Sequence, residues 1–170
     1  AMARVKEVNY FSLHPERSAG WYRAHFPLRV PNRHRVSGEA SPYYMYHPYV
    51  PARLARMYPS TKLIVLLREP SARAVSHYVA MASGNREPLS LGDAILREME
   101  GPATPDQIIK AGGPRLAQST HRQNSYVGRG LYAEQLDRWL EHFPRSAMFI
   151  GKSEDLFDEP KVFMNEVADF

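Results

Sequence analysis

The stretch KLIVLLREPSARAVSHY, Lys62 to Tyr78, limits what this chain can fold into more than any other. An apolar run from Leu63 to Leu67 meets Arg68-Glu69-Pro70, and a helix-like segment carrying Ser76, His77 and Tyr78 follows. The pattern predicts a strand over 62–67, a turn at 68–70 and a helix from about 71 to 82. An apolar strand without polar alternation belongs in a parallel sheet covered on both faces, and strand followed by helix is the repeating unit of such sheets.

The rest of the chain fits that frame. A strand-like piece is predicted over Arg4 to Phe11, and a short helix follows between Pro15 and Pro27, with Trp21, Tyr22 and Phe26 on its apolar side. Residues 28–35 read as a basic, proline-broken surface loop, and VSGEASPYYMYHP as a strand edge or turn. A helix closed by Pro59 places Val50, Leu54 and Met57 on one side. Ser90 and Asp93 form a capping-box pattern ahead of an apolar run. Residues 101–125 lack periodicity and read as a long loop. In RGLYAEQLDRWLEHFP, Tyr132, Leu136, Trp139, Leu140 and Phe143 fall on one helical face. AMFIG reads as a second strand and EPKVFMNEVADF as a last helix. The alternation predicts an α/β fold: one domain over 1–170, a parallel β-sheet flanked by helices, with residues 1–3 read as a cloning remnant.

Composition removes several classes of function. With no cysteine there is neither a disulfide nor a thiolate metal site, which suits a reducing, cytoplasmic setting. No apolar run approaches the ~20 residues that span a bilayer. The formal net charge of +4 suits an anionic ligand, or is simply a basic surface. The arginines are scattered rather than striped and no nucleic-acid module is legible, so no nucleic-acid partner is expected. The seven histidines show no metal-ligand spacing, and no metal is expected.

Ligands of open α/β sheets collect beyond the carboxyl ends of the strands. Arg68 stands at that end, and the helix starting near Pro70 offers free N–H groups and its positive dipole end beside it. Ser76, one to two turns in, adds a hydroxyl. The combination suits a phosphate; the other reading pairs Arg68 with a nearby carboxylate and leaves Ser76 an ordinary helix residue.

LIVLLREPSARAVSHY resembles the 3'-phosphate-binding segment of sulfotransferases that use 3'-phosphoadenosine 5'-phosphosulfate (PAPS): an apolar strand, Arg-Asp-Pro, a few variable residues, Arg-Ala and Ser-x-Tyr. KEVNYFS…GWYRAHFP, GEASPYY, NSYVGRGLYAEQLDRWLEHFP and SEDLFDEP are similar to further family segments in the family's order, so the resemblance covers nearly the whole chain. Its flavour is that of bacterial sulfotransferases and of the sulfotransferase domain of heparan-sulfate-modifying enzymes. The resemblance implies a P-loop-like sulfotransferase fold, with Arg68 and Ser76 binding the 3'-phosphate and Glu7 as general base. It implies in-line sulfuryl transfer from PAPS, an anionic nucleotide donor, to a hydroxyl or amine, leaving 3'-phosphoadenosine 5'-phosphate. Carbohydrate, lipid and other small acceptors stay open, as does the oligomeric state. His121 and Tyr43, Tyr44, Tyr46 and Tyr49 are candidates to face the acceptor, or are packing residues.

The chain departs from the family pattern in ways that carry expectations. Glu69 stands for the usual aspartate, Asn9 and Ser12 for a histidine and an aspartate, and Glu39-Ala40-Ser41-Pro42 for Glu-Lys-Thr-Pro. The glycine-rich loop that holds the 5'-phosphosulfate, expected some twenty residues before Glu7, is not in the sequence, so the chain reads as an interior piece of such a domain. The alternative is a non-catalytic nucleotide-binding or interaction module derived from one.

Overall fold

A computed structural model describes residues 2–27, 36–101 and 104–170. Four helices, α1 (Tyr10–Leu13), α2 (Ala19–Arg23), α3 (Tyr43–Tyr46) and α4 (Val50–Met57), precede β1 (Leu63–Leu67). Next come α5 (Pro70–Ser83), α6 (Leu91–Met99) and three short helices, α7 (Asp106–Ala111), α8 (Gly113–Ala117) and α9 (Thr120–Gln123). A 3-10 turn, Gly128–Gly130, leads into α10 (Tyr132–Leu140), and the chain continues through β2 (Met148–Lys152), α11 (Ser153–Asp158) and α12 (Pro160–Asp169).

The two strands pair in parallel, from Leu63 opposite Met148 to Leu67 opposite Lys152. A parallel pair needs a long crossover, and residues 68–147 supply it with helices. The architecture is α/β, a parallel sheet flanked by helices. One sheet face packs Leu63, Val65, Met148 and Ile150 against Val8, Phe11, Val50, Leu54, Trp139 and Phe143. A second apolar cluster joins Leu13, Tyr43, Ile109 and Leu116.

The other sheet face is unevenly covered. Over β2, the Phe149 ring meets Phe163 of α12 edge to face at 5.5 Å. Gly151 lets that ring come close, since a Cβ there would lie 2.5 Å from it. Over β1, Ile64 and Leu66 stay 55% and 45% exposed. The expectation of a strand buried on both faces is therefore corrected: α12 reaches β2, and this face of β1 is only about half covered by the described residues.

The predicted βα unit is present within a residue or two. Pro70 takes the first helical position of α5, where its missing N–H costs nothing. The capping box is present as well, with Ser90 Oγ accepting from the Asp93 N–H at 3.2 Å. Two expectations fail. Residues 4–11 form no strand, because Glu7 and Asn9 take left-handed backbone angles (φ 56° and 52°) and residues 10–13 coil into α1. Of the two readings of the tyrosine-rich segment, strand edge or turn, the structure takes the turn, as α3. The long loop is three helices of four to six residues, each too short to show a period. On α10, Trp139 is buried as predicted while Leu140 is 41% exposed. The predicted basic loop at 28–35 lies outside the described residues.

Candidate active site

Arg68 follows the last residue of β1 directly, and its carbonyl accepts from the Tyr132 hydroxyl at 2.9 Å. The side chain is exposed and has no carboxylate within 4.0 Å among the described residues. Its charge still reaches two acids. Hydrogen bonds from Ser71 and Ala72 hold the Glu69 carboxyl below its usual range, with Arg68 adding to them. Backbone N–H groups do the same for Glu154, again with Arg68 assisting.

The helix start differs from the expectation of free donors. Glu69 caps α5 itself, its carboxylate accepting from the N–H groups of Ser71 at 3.0 Å and Ala72 at 2.5 Å. An anion at this end of the sheet therefore meets the Arg68 guanidinium and side-chain hydroxyls before any backbone donor. Ser76 lies on the exposed side of α5, and among the described residues its hydroxyl has no hydrogen-bond partner. Arg73 points inward and donates to the Tyr126 carbonyl.

Glu7 is half-buried and sits in an irregular segment, not on a strand. Its carbonyl accepts from Asn9 Nδ2 at 2.9 Å, and among the described residues its carboxylate accepts no hydrogen bond. The segment is pinned from the next residues on. Asn9 N–H donates to Ser41 Oγ at 3.1 Å, and Ser41 donates to Glu39 Oε2 at 2.9 Å. Glu39 Oε1 also accepts from the hydroxyls of Tyr22 at 2.9 Å and Tyr44 at 3.0 Å. Burial and the Glu39 charge push both phenols well above the usual tyrosine range.

A cleft of about 320 Å³ opens between α6, α9 and the Gly128 turn, with Tyr46, Thr104, Thr120, His121, Asn124 and Ser125 among its walls. His121 stacks on the Tyr46 ring at 4.6 Å, and its Nδ1 lies 2.5 Å from the Tyr43 hydroxyl. Burial, reinforced by Arg129 and Arg138, pulls its pKa down to about 4, so the imidazole is neutral near pH 7. Of the four candidate tyrosines, Tyr46 lines this cleft, Tyr43 is buried behind it, Tyr44 bonds to Glu39, and Tyr49 turns to Asp106.

The cleft rests on two carboxylates that sequence reasoning did not single out. Buried Glu87 receives both arms of Arg97, at 3.0 and 2.6 Å, together with Tyr126 Oη and Asn124 Nδ2 at 2.9 Å each. Burial pushes the Glu87 carboxyl up, and these donors outweigh it and hold the group ionised below its usual range. Glu98 accepts from the backbone N–H groups of Tyr126, Val127 and Gly128. Apart from Arg97, 10 positions from Glu87, these partners are 28 to 39 positions apart in sequence, and no local pattern signals such contacts.

Residues 20–170 match the sulfotransferase domain family. The heparan sulfate glucosamine 3-O-sulfotransferase 6 of Homo sapiens is 31% identical over 164 residues, covering 96% of this chain and 42% of that protein. The heparan sulfate glucosamine 3-O-sulfotransferase 3B1 of Mus musculus is 29% identical, with 96% and 37% covered. The chain thus spans about two fifths of these relatives' length. The crystal structure of a sulfotransferase from Alicyclobacillus acidocaldarius superimposes with a TM-score of 0.71 at 26% identity, covering 94% of this chain and 65% of that one.

Proposed function

Given that the chain belongs to the sulfotransferase domain family, we propose that the protein moves a sulfuryl group from PAPS to a hydroxyl or amine of an acceptor. The observation that supports this is an exposed Arg68 guanidinium directly after a parallel strand, with no carboxylate within 4.0 Å, and an exposed, unpartnered Ser76 hydroxyl on the helix that follows, among the described residues. A phosphate monoester fits such a pair, because it accepts charge-assisted hydrogen bonds from both. PAPS supplies the activated sulfuryl group. Arg68 and Ser76 hold and orient the nucleotide, and Glu7 takes the acceptor's proton as the acceptor attacks. The free carboxylate of Glu7 supports that role, since a base must not be engaged elsewhere. A carbohydrate acceptor is proposed for the cleft walled by Tyr46, His121, Asn124 and Ser125, whose ring, hydroxyl and amide groups suit a sugar. A reducing, cytoplasmic location is proposed from the absence of cysteine.

Titration calorimetry with 3'-phosphoadenosine 5'-phosphate tests the nucleotide site. Arg68→Ala is expected to weaken binding by about 1.5–3 kcal/mol, roughly ten- to hundred-fold. Equal binding by the wild-type and Arg68→Ala proteins removes the assignment. Glu7→Gln is expected to keep nucleotide affinity and lose most of the sulfuryl-transfer rate; unchanged sulfuryl transfer in that variant removes Glu7 as base.

A further inference from the structure

Five buried side-chain nitrogens lack a hydrogen-bond partner among the described residues, and all five lie in one neighbourhood: Nε of Arg73, Arg122, Arg129 and Arg138, and Nδ1 of His77. The guanidinium of Arg129 lies 5.1 Å from the Tyr43 ring centre and 5.6 Å from that of Tyr46, and Arg122 lies 5.8 Å from Tyr43. Arg73 and Arg129 each donate one arm to a carbonyl, of Tyr126 and Arg122 respectively. Arg138 reaches the Tyr46 carbonyl at 3.5 Å.

Among the described residues, no carboxylate lies within 4.0 Å of Arg73, Arg122, Arg129 or Arg138. Among the described residues the ion pairs within 4.0 Å are Arg97–Glu87 and the two at Glu16. Glu98, whose charge acts on Arg73, is bound to three backbone N–H groups. Burial lowers Arg129 to about 10, with the charges of Arg73 and Arg122 pushing the same way. His77 falls to about 4 by burial and by the charges of Arg129 and Arg73. Buried charge without a partner is among the most costly arrangements in a folded protein, and orphaned N–H groups gathered in one place mark an absent acceptor.

We infer that this cluster binds a tetrahedral oxyanion of the sulfate type, with Arg129 as its main ligand and Arg73 and Arg122 beside it. Guanidinium N–H groups match oxyanion geometry and deliver charge-assisted bonds. Tyr46 and His121 line the cleft described above, and Arg129 lies over the same Tyr46 ring, so the ring stack is the wall the anion passes. The oxyanion is a free ion or a sulfate ester on a larger molecule. The inference uses none of Arg68, Ser76 or Glu7, and it shares with the reaction proposed above only the cleft wall at Tyr46 and His121.

The test is the melting temperature in sodium sulfate against sodium chloride at matched ionic strength. Wild type is expected to rise saturably with sulfate, as a ligand bound to the folded state requires. Arg129→Gln is expected to melt in chloride at or above the wild-type temperature, having lost an uncompensated charge, and to lose the saturable rise. Arg122→Gln gives the same readout if Arg129→Gln does not fold, with half-saturation expected at least about fivefold higher than wild type. An equal sulfate response in wild type and variants is a bulk salt effect and overturns the site. So does the absence of any saturable response in wild type. Glucosamine 6-sulfate fixes the source: half-saturation well below that of inorganic sulfate assigns the oxyanion to a sulfated sugar, and half-saturation equal or higher assigns it to the free ion.

Discussion

Glu98 Oε1 accepts from the backbone N–H of Gly128 at 2.9 Å, while its Oε2 takes the two preceding N–H groups at 2.6 and 2.8 Å. One carboxylate on α6 thereby fixes three consecutive amides of the turn that packs on α5. Glu98→Gln retains the shape and loses the charge, and it is expected to cost about 2 kcal/mol. Hydrogen exchange at Tyr126, Val127 and Gly128 is the direct check, since these amides should exchange faster than those of α10.

Arg97 and Glu87 form the most buried ion pair among the described residues, with the Glu87 side chain fully covered. Removing one partner leaves the other charge buried with fewer acceptors or donors. Arg97→Met is expected to destabilise by about 3 kcal/mol, read from urea unfolding. A double variant, Arg97→Met with Glu87→Leu, should recover part of that loss.

Three histidines make stability depend on pH. His47 accepts from the Tyr49 N–H at Nδ1, so Nε2 carries the hydrogen that it donates to the Ile109 carbonyl at 3.1 Å. Burial, helped by Arg53 and His121, lowers it to about 3. His77 and His121 both lie at about 4, again from burial first. Unfolded, each takes up its proton near 6.5, so the unfolded state binds more protons below that pH. The stabilisation from neutral histidines is complete above about pH 6.5 and is lost as pH falls towards 4, at up to about 1.4 kcal/mol per pH unit for each group. Urea unfolding at about pH 7 and pH 5 checks this; a flat profile refutes it, and His47→Gln should remove about a third of the slope.

Gly151→Ala places a Cβ 2.5 Å from the Phe163 ring and 3.1 Å from Phe149. The rings pack edge to face and neither can retreat without moving α12 or β2. The expected cost is about 1–3 kcal/mol, seen as a lower melting temperature.

The sequence carried the βα unit well, because the apolar run, Pro70 and the helix after it are all local signals. The α10 face was legible for the same reason, since nine residues suffice to show a helical period. Helices α7, α8 and α9 were not, being single turns set by Pro105, by Gly112 at φ 74° and by the Ser119 cap. At the site, Arg68 and Ser76 could be placed by position along one strand and one helix. The cap by Glu69 lay outside the expectation of free N–H groups at the helix start, because glutamate's longer side chain can fold back from the capping position to reach two amides. The supports of the cleft, Glu87 and Glu98, depend on folding distant segments together, which no spacing rule encodes.

The backbone around Glu7 has a temporal consequence. Glu7 and Asn9 both sit in the left-handed region, which costs a residue with a side chain about 1–2 kcal/mol each, less for asparagine. Opposing that cost are the Asn9 N–H bond to the Ser41 hydroxyl, itself leaning on Glu39, and the burial of Val8, Tyr10 and Phe11 in the core. Opening the turn means drawing these side chains out, so the segment opens only with the core around it. Under the role proposed for it, the Glu7 carboxylate keeps its place for as long as that core does.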